Sequence, residues 1–274
     1  MTFKISKLLS PFIAFDDVAS FCRSLWTAEG LISGSVALQF FDRWTFDQLA
    51  SLDIYVQYQK SDIVDAWLQS HGAIGVPQDR GDTDVAADLH ITSEIWTVLK
   101  FNVPDSSRII RLILTRQNPL IAVLCFHSSM FFGAHLLIFH EACVMNFISY
   151  DAAYSLYPLS TFRDQHSILW GTLSARERAA ACRYQKVGWV ICGVLDATEM
   201  ACRPQELGSE IRRVGDSMRW RFHLDSGEHC DTWTFGGKVC SWSLIYSRTR
   251  AGLSGQRESE HLFKFNTLLI CEGD

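Results

Sequence analysis

Cysteine and histidine are the first residue types to test for chemistry in this chain, as zinc ligands or as a nucleophile and its base. Cys192, Cys202, His223, His229, Cys230 and Cys240 gather in the C-terminal third and could form a zinc site, but their spacings match no compact ligand pattern. Cys125 and His127 stand two apart in a helix-prone stretch. Neighbours at that spacing face different ways, and no third group is in place to orient the histidine. Trp220, Trp233 and Trp242 could form a base-stacking platform, although packing within a sheet is the simpler role.

Residues 31–57, "LISGSVALQFFDRWTFDQLASLDIYVQ", offer a different set. They read as a strand, a Gly34-Ser35 turn, a short apolar helix, a loop and a second strand that carries Asp53. A tight strand-to-helix turn is reason enough for Gly34, and a lone strand aspartate is commonly solvated or capping. A later strand, 108–115, alternates after its charged start. Ile109, Arg111 and Ile113 share one face, and Ile110, Leu112 and Leu114 the other. Arg111 could bind an anion directly, but a solvent-facing arginine is the reading its position favours.

The elements that must position these residues follow from periodicity. Asp16 or Asp17 is expected to cap a helix running to about Glu29, with Val18, Phe21, Cys22, Leu25 and Trp26 as its apolar stripe. Gly30 should end it in a left-handed turn. Ser61 is expected to cap a second helix with Ile63, Val64, Trp67 and Leu68 inward, and Gly72 follows its end. Residues 72–88 read as loop and 95–101 as strand. Asn118-Pro119 supplies a cap and a first-turn proline.

From 117 to 140 the charged side chains disappear apart from histidines. Length alone would allow a membrane span, but His127, Ser128, Ser129 and His135 interrupt the run and no polybasic flank orients it. Ser174 to Glu177 fits a capping box opening a helix to Gln185, and the chain turns strand-like from Trp220 onward.

Composition bounds the function classes. The chain has 274 residues, 48% of them hydrophobic and 20% charged, with a formal charge of −5. That describes a globular protein without the electrostatic footprint of nonspecific nucleic-acid binding. The charge leaves room for a local basic patch, and Arg212, Arg213, Arg219 and Arg221 fall close together. Nine singly scattered cysteines suit a reducing compartment, cytoplasmic or nuclear, better than a disulfide framework. The N-terminal apolar run is broken by Ser10 and Pro11, unlike a secretory leader.

The strings "SGSVALQFF" (33–41) and "LDIYV" (52–56) resemble the nucleotidyltransferase fold shared by polymerase-β-like enzymes. More narrowly, "FHSS" (126–129), "CVMN" (143–146) and "YSLYPLSTF" (154–162) are similar to nucleotidyltransferase-like proteins of mushroom-forming fungi. There the first two strings run together, so residues 130–142 look like an intron-derived insertion. The resemblance implies that backbone amides at Gly34 and Ser35 approach nucleotide phosphates, with the following helix N-terminus favouring negative charge. It also implies an acid-x-acid pair on the second strand, whose carboxylates would share metal ions. Here Ser51 stands at the first position and Asp53 at the second, while the third acid position falls on Arg111. A cation there repels Mg²⁺, and one carboxylate is a thin anchor.

The expected architecture is therefore α/β (α+β): a nucleotidyltransferase-like mixed sheet flanked by helices over 1–165, and a helix plus a β-rich C-terminal appendage over 166–274. The expected function is a degenerate metal site without metal-dependent transferase activity, with Gly34, Ser35 and Arg111 toward a nucleotide. One alternative is an active enzyme using Asp53 as metal ligand and catalytic residue, with Mg²⁺ and a nucleoside triphosphate. Another is a non-catalytic interaction scaffold whose protein partner the sequence does not name. No membrane and no strong nucleic-acid partner is expected.

Overall fold

The computed structural model describes residues 5–42, 51–77, 94–128, 145–168, 182, 185–186, 188–192, 206, 211–224, 240–249 and 262–271. The expected insertion 130–142, most of the helix expected from Ser174, and Cys202, His229, Cys230 and Trp233 lie outside the described residues. Contacts divide the chain into two units. One is Met1–Val123, Val144–Ser155 and Trp220–Gly237; the other is Leu124–Cys143, Leu156–Arg219 and Lys238–Asp274.

The first unit is built on an eight-stranded sheet, mixed in direction and flanked by helices, as the α+β reading expects. Its strands are β1 (Leu31–Ser33), β2 (Leu52–Gln57), β3 (Ile74–Gly75), β4 (Ile95–Asn102), β5 (Ile109–Thr115), β6 (Asn146–Ile148), β7 (Ala152–Ser155) and β11 (Trp220–His223). They lie in the order β11-β7-β6-β1-β2-β5-β4-β3. Every neighbouring pair is antiparallel except β2 and β5, which run parallel. Its helices are α1 (Ile5–Leu9), α2 (Val18–Thr27), α3 (Ser35–Asp42) and α4 (Ser61–Ser70), and α5 (Pro119–Ser128) begins in it and runs past its boundary at Val123.

The alternation of β5 decides which face is core. Ile110, Leu112 and Leu114 enter one buried cluster with Ile32, Ile54 and the helix residues Phe21, Leu25, Val64 and Leu68. Asp53 and Arg111 must then point to the opposite face, because side chains alternate along a strand. The stripe expected on α2 is buried as read at Val18, Phe21, Cys22 and Leu25. Asn118 caps α5, its side-chain oxygen accepting the Leu120 N–H at 2.9 Å.

Three terminal details differ from expectation. Asp17 makes no side-chain cap, because a 3-10 turn, Phe15–Asp17, already leads into α2. Ser61 is the first helical residue of α4 and donates backward to the Tyr58 carbonyl at 2.7 Å; Ile63 on that helix is exposed. At the end of α2 it is Glu29, not Gly30, that turns left-handed, at φ 52°. The Glu29 N–H reaches the Trp26 carbonyl and the Gly30 N–H reaches that of Leu25, a Schellman closure. Gly30 is needed for space instead, since a Cβ there would lie 2.5 Å from Leu25 Cδ1 and 2.9 Å from Val56 Cγ2.

The second unit holds two small sheets. The strands β10 (Arg212–Arg213), β12 (Cys240–Thr249) and β13 (Leu262–Cys271) pair antiparallel, and β8 (His166–Ile168) runs parallel to β9 (Val190–Cys192). The chain after the "YSLYP" string forms a π turn, Leu159–Arg163. The buried Glu206 carboxylate caps it, accepting the N–H groups of Leu159 and Ser160 and the Ser160 hydroxyl at 2.9, 2.8 and 2.6 Å. Arg212 is 3% exposed, donates to Asp216 at 2.6 Å and to the Leu156 carbonyl at 2.9 Å, and lies over the Tyr157 ring. Arg221 belongs to the first unit, where it pairs with Asp151 at 2.9 Å. Of the arginines expected to form a basic patch, Arg212 and Arg221 are thus each paired with an aspartate within its own unit.

Candidate functional site

The site grows from the register of three strands. Ser33, the last residue of β1, is the direct partner of Asp53 on β2, and Asp53 is the direct partner of Arg111 on β5. Gly34 follows Ser33 with φ 73°, and α3 begins at Ser35. A left-handed glycine is what lets the chain turn from strand into helix within one residue. The same glycine also makes room, because a Cβ there would lie 2.8 Å from Asp53 Oδ2.

Asp53 is not solvated, as a lone strand aspartate commonly is. Its side chain is 8% exposed and faces Arg111, whose side chain is 23% exposed. Arg111 Nε donates to Oδ1 at 2.6 Å and Nη2 to Oδ2 at 2.5 Å, a bidentate charge-assisted pair. The expectation that Arg111 points into solvent is therefore corrected. A parallel neighbour at matching height lies within reach, and a buried carboxylate without a counter-charge would be costly. Ser51, at the position where the resemblance implies the first acid, donates its hydroxyl to Asp53 Oδ1 at 2.8 Å. Tyr55 stands two residues along β2 on the same face and is fully buried. Burial, and secondarily the Asp53 charge, raise its phenol well above the ordinary value, against a smaller lowering effect of Arg111. It is a neutral wall to the site.

Mg²⁺ does not fit these donors. Among the described residues Asp53 is the carboxylate of the site; both of its oxygens take N–H groups from Arg111, and one also takes the Ser51 hydroxyl. Mg²⁺ needs oxygen ligands in a near-octahedral shell, whereas this carboxylate is occupied by a fixed cation. Among the described residues, no group of three or more His, Cys, Asp or Glu side chains is arranged to hold a metal ion. The side chains of Cys192 and Cys240, and all of Cys202, His229 and Cys230, lie outside the described residues.

Ser35 is half-buried at the start of α3, beside the pair and not within it. The structure thus gathers Gly34, Ser35, Asp53 and Arg111 at one end of β1 and β2. The sequence reading missed Ser51 as a hydrogen-bond donor; it registered there only as a lost acid. No helix among the described residues is long and apolar enough to cross a membrane.

Fold and site together define an α+β protein with a buried aspartate–arginine pair set against a strand–glycine–helix turn. Compared with protein-family models, curated proteins and solved structures, the chain finds no match.

Proposed function

We propose that this chain is a nucleotidyltransferase-like protein whose acidic metal site has become an internal ion pair. It lacks metal-dependent transfer activity and keeps the Gly34-Ser35 turn, with Arg111, as a binding site for nucleotide phosphates. The observation that carries the reading is the bidentate Asp53–Arg111 pair, at 2.6 and 2.5 Å, beside a left-handed glycine that opens α3. The resemblance implies a metal-binding carboxylate in that place, and a paired carboxylate argues for loss of the chemistry. Backbone amides at a helix start, next to a guanidinium, favour an anion. The buried, free thiol of Cys22 agrees with a cytoplasmic or nuclear setting.

Calorimetric titration of the full chain with ATP, with and without Mg²⁺, tests this beside a transfer assay with labelled nucleoside triphosphates. The expected result is binding that does not require Mg²⁺, weakened by Arg111→Ala, and no labelled product. Mg²⁺-dependent binding abolished by Asp53→Asn would establish the working enzyme instead. No binding under any condition would leave an interaction scaffold.

A further inference from the structure

Two exposed aromatic features of the first unit carry opposite charges. Phe15 is 64% exposed, although Phe12, Ile13 and Val18 around it are buried. It opens the 3-10 turn that leads into α2, and exposed Asp16 follows it. Among the described residues the Asp16 carboxylate has neither a hydrogen bond nor an ion pair. The second feature joins Tyr58 to Trp96, which is 51% exposed. Their rings stack with centroids 5.5 Å apart, and the Arg116 guanidinium lies 4.5 Å from the centre of the Trp96 ring.

Three strand ends build this second feature. Tyr58 directly follows β2, Arg116 directly follows β5, and Trp96 is the residue skipped where β4 shifts register against β5 between Ile95 and Thr97. A bulge of this kind re-aims a side chain out of the strand's alternation. Among the described residues the Arg116 side chain has its ring contact but no hydrogen bond or ion pair, so its N–H fork is unused. Tryptophan, tyrosine and arginine in mutual contact are the residue types that anchor protein interfaces. The chain's charge of −5 disfavours a nucleic-acid strand in that role. A segment that fits must offer a carboxylate to Arg116 and an apolar group to the two rings. Phe15 and Asp16 offer both.

Within one copy the two features are far apart. Arg108, just before β5, lies over the Phe12 ring, so the Phe15 turn sits near the connection from β4 to β5. Trp96 and Arg116 stand at the other ends of those strands, which at eight and seven residues span about 25 Å. We propose that two copies of this chain associate through these features, Phe15 of one packing on Tyr58 and Trp96 of the other and Asp16 pairing with Arg116. Placed antiparallel, two copies make the contact twice and close as a symmetric pair. The guanidinium fork suits a carboxylate bound by two N–H groups at once. This contact is independent of the nucleotide reading above.

The test is sedimentation velocity on the full chain, from micromolar to millimolar concentration, repeated with Asp16→Arg, Arg116→Asp and the double variant. The parent chain should pass from monomer to dimer as concentration rises. Each single variant sets like charges against each other and should associate at least about tenfold more weakly, the scale of losing an anchor contact. An equimolar mixture of the two single variants should recover association, because each then offers the other an opposite charge. The double variant should recover it alone, and melting temperatures should show every protein folded. A parent chain that stays monomeric throughout overturns the proposal. So does association that both single variants retain, or a loss that neither the mixture nor the double variant restores.

Discussion

Gly34 and Asp53 are locked together: a single methyl on residue 34 would stand 2.8 Å from the carboxylate oxygen that Arg111 holds. Gly34→Ala meets that contact and a backbone φ of 73° at once. The backbone alone costs about 1–3 kcal/mol for a side-chain-bearing residue in such a region. Urea unfolding should show the free energy of unfolding reduced by that much or more. Gly34→Ala should also weaken ATP binding beyond any change in stability.

The two halves of the ion pair are not equivalent. Asp53 is the more deeply buried partner, at 8% against 23%. Arg111→Met strands a buried charge and should cost about 3–5 kcal/mol, the range for breaking a buried pair from one side. Asp53→Asn leaves the more exposed guanidinium and should cost less. The double variant Asp53→Asn/Arg111→Met should be more stable than Arg111→Met alone, which a denaturant double-mutant cycle would read directly.

Asp216 in the second unit sets an acid limit on stability. Burial pushes its carboxyl up, but the hydrogen bond and charge of Arg212, with the amides of Arg213 and Met218, outweigh it and hold the group below the ordinary value. A group depressed on folding stabilises fully above its unfolded value, about 3.9 for aspartate, and loses that contribution as pH falls through the folded value. Acid unfolding followed by circular dichroism should therefore steepen below about pH 4. Asp216→Asn should flatten that limb and cost about 2 kcal/mol at neutral pH, the scale of a charge-assisted bond.

Cysteine reactivity should separate two thiols. Cys22 lies in the α2 stripe, and burial, slightly offset by Arg23, pushes its thiol up to about 11. At pH 8 only about one molecule in a thousand would carry the thiolate that alkylating agents attack. Cys182 is exposed and free. Peptide mapping after brief iodoacetamide treatment should find Cys182 modified and Cys22 intact, with Cys22 reacting only on denaturation.

What was legible in the sequence was local. The α2 stripe, the two faces of β5 and the Asn118 cap each follow from residues within a turn or two of one another, where periodicity and side-chain reach decide the outcome. Gly30 shows the limit of that reasoning: its position after a helix suggested a left-handed turn, but the constraint is space, set by Leu25 on the helix before it and by Val56 on the distant strand β2. Arg111 shows it more sharply. Its partner lies 58 residues away, and only the parallel register of β2 and β5 brings them level.

The outer strand β11 carries a consequence for how the chain comes to be folded in the cell. Arg221, which fastens β11 to the rest of the sheet, is translated 70 residues after its partner Asp151. Until then the open edge of β7 must leave the ribosome with its hydrogen-bonding groups unpaired, a template for pairing with other chains. A released fragment ending at residue 165 should accordingly recruit chaperones or aggregate, and one extended past β11 should do so less.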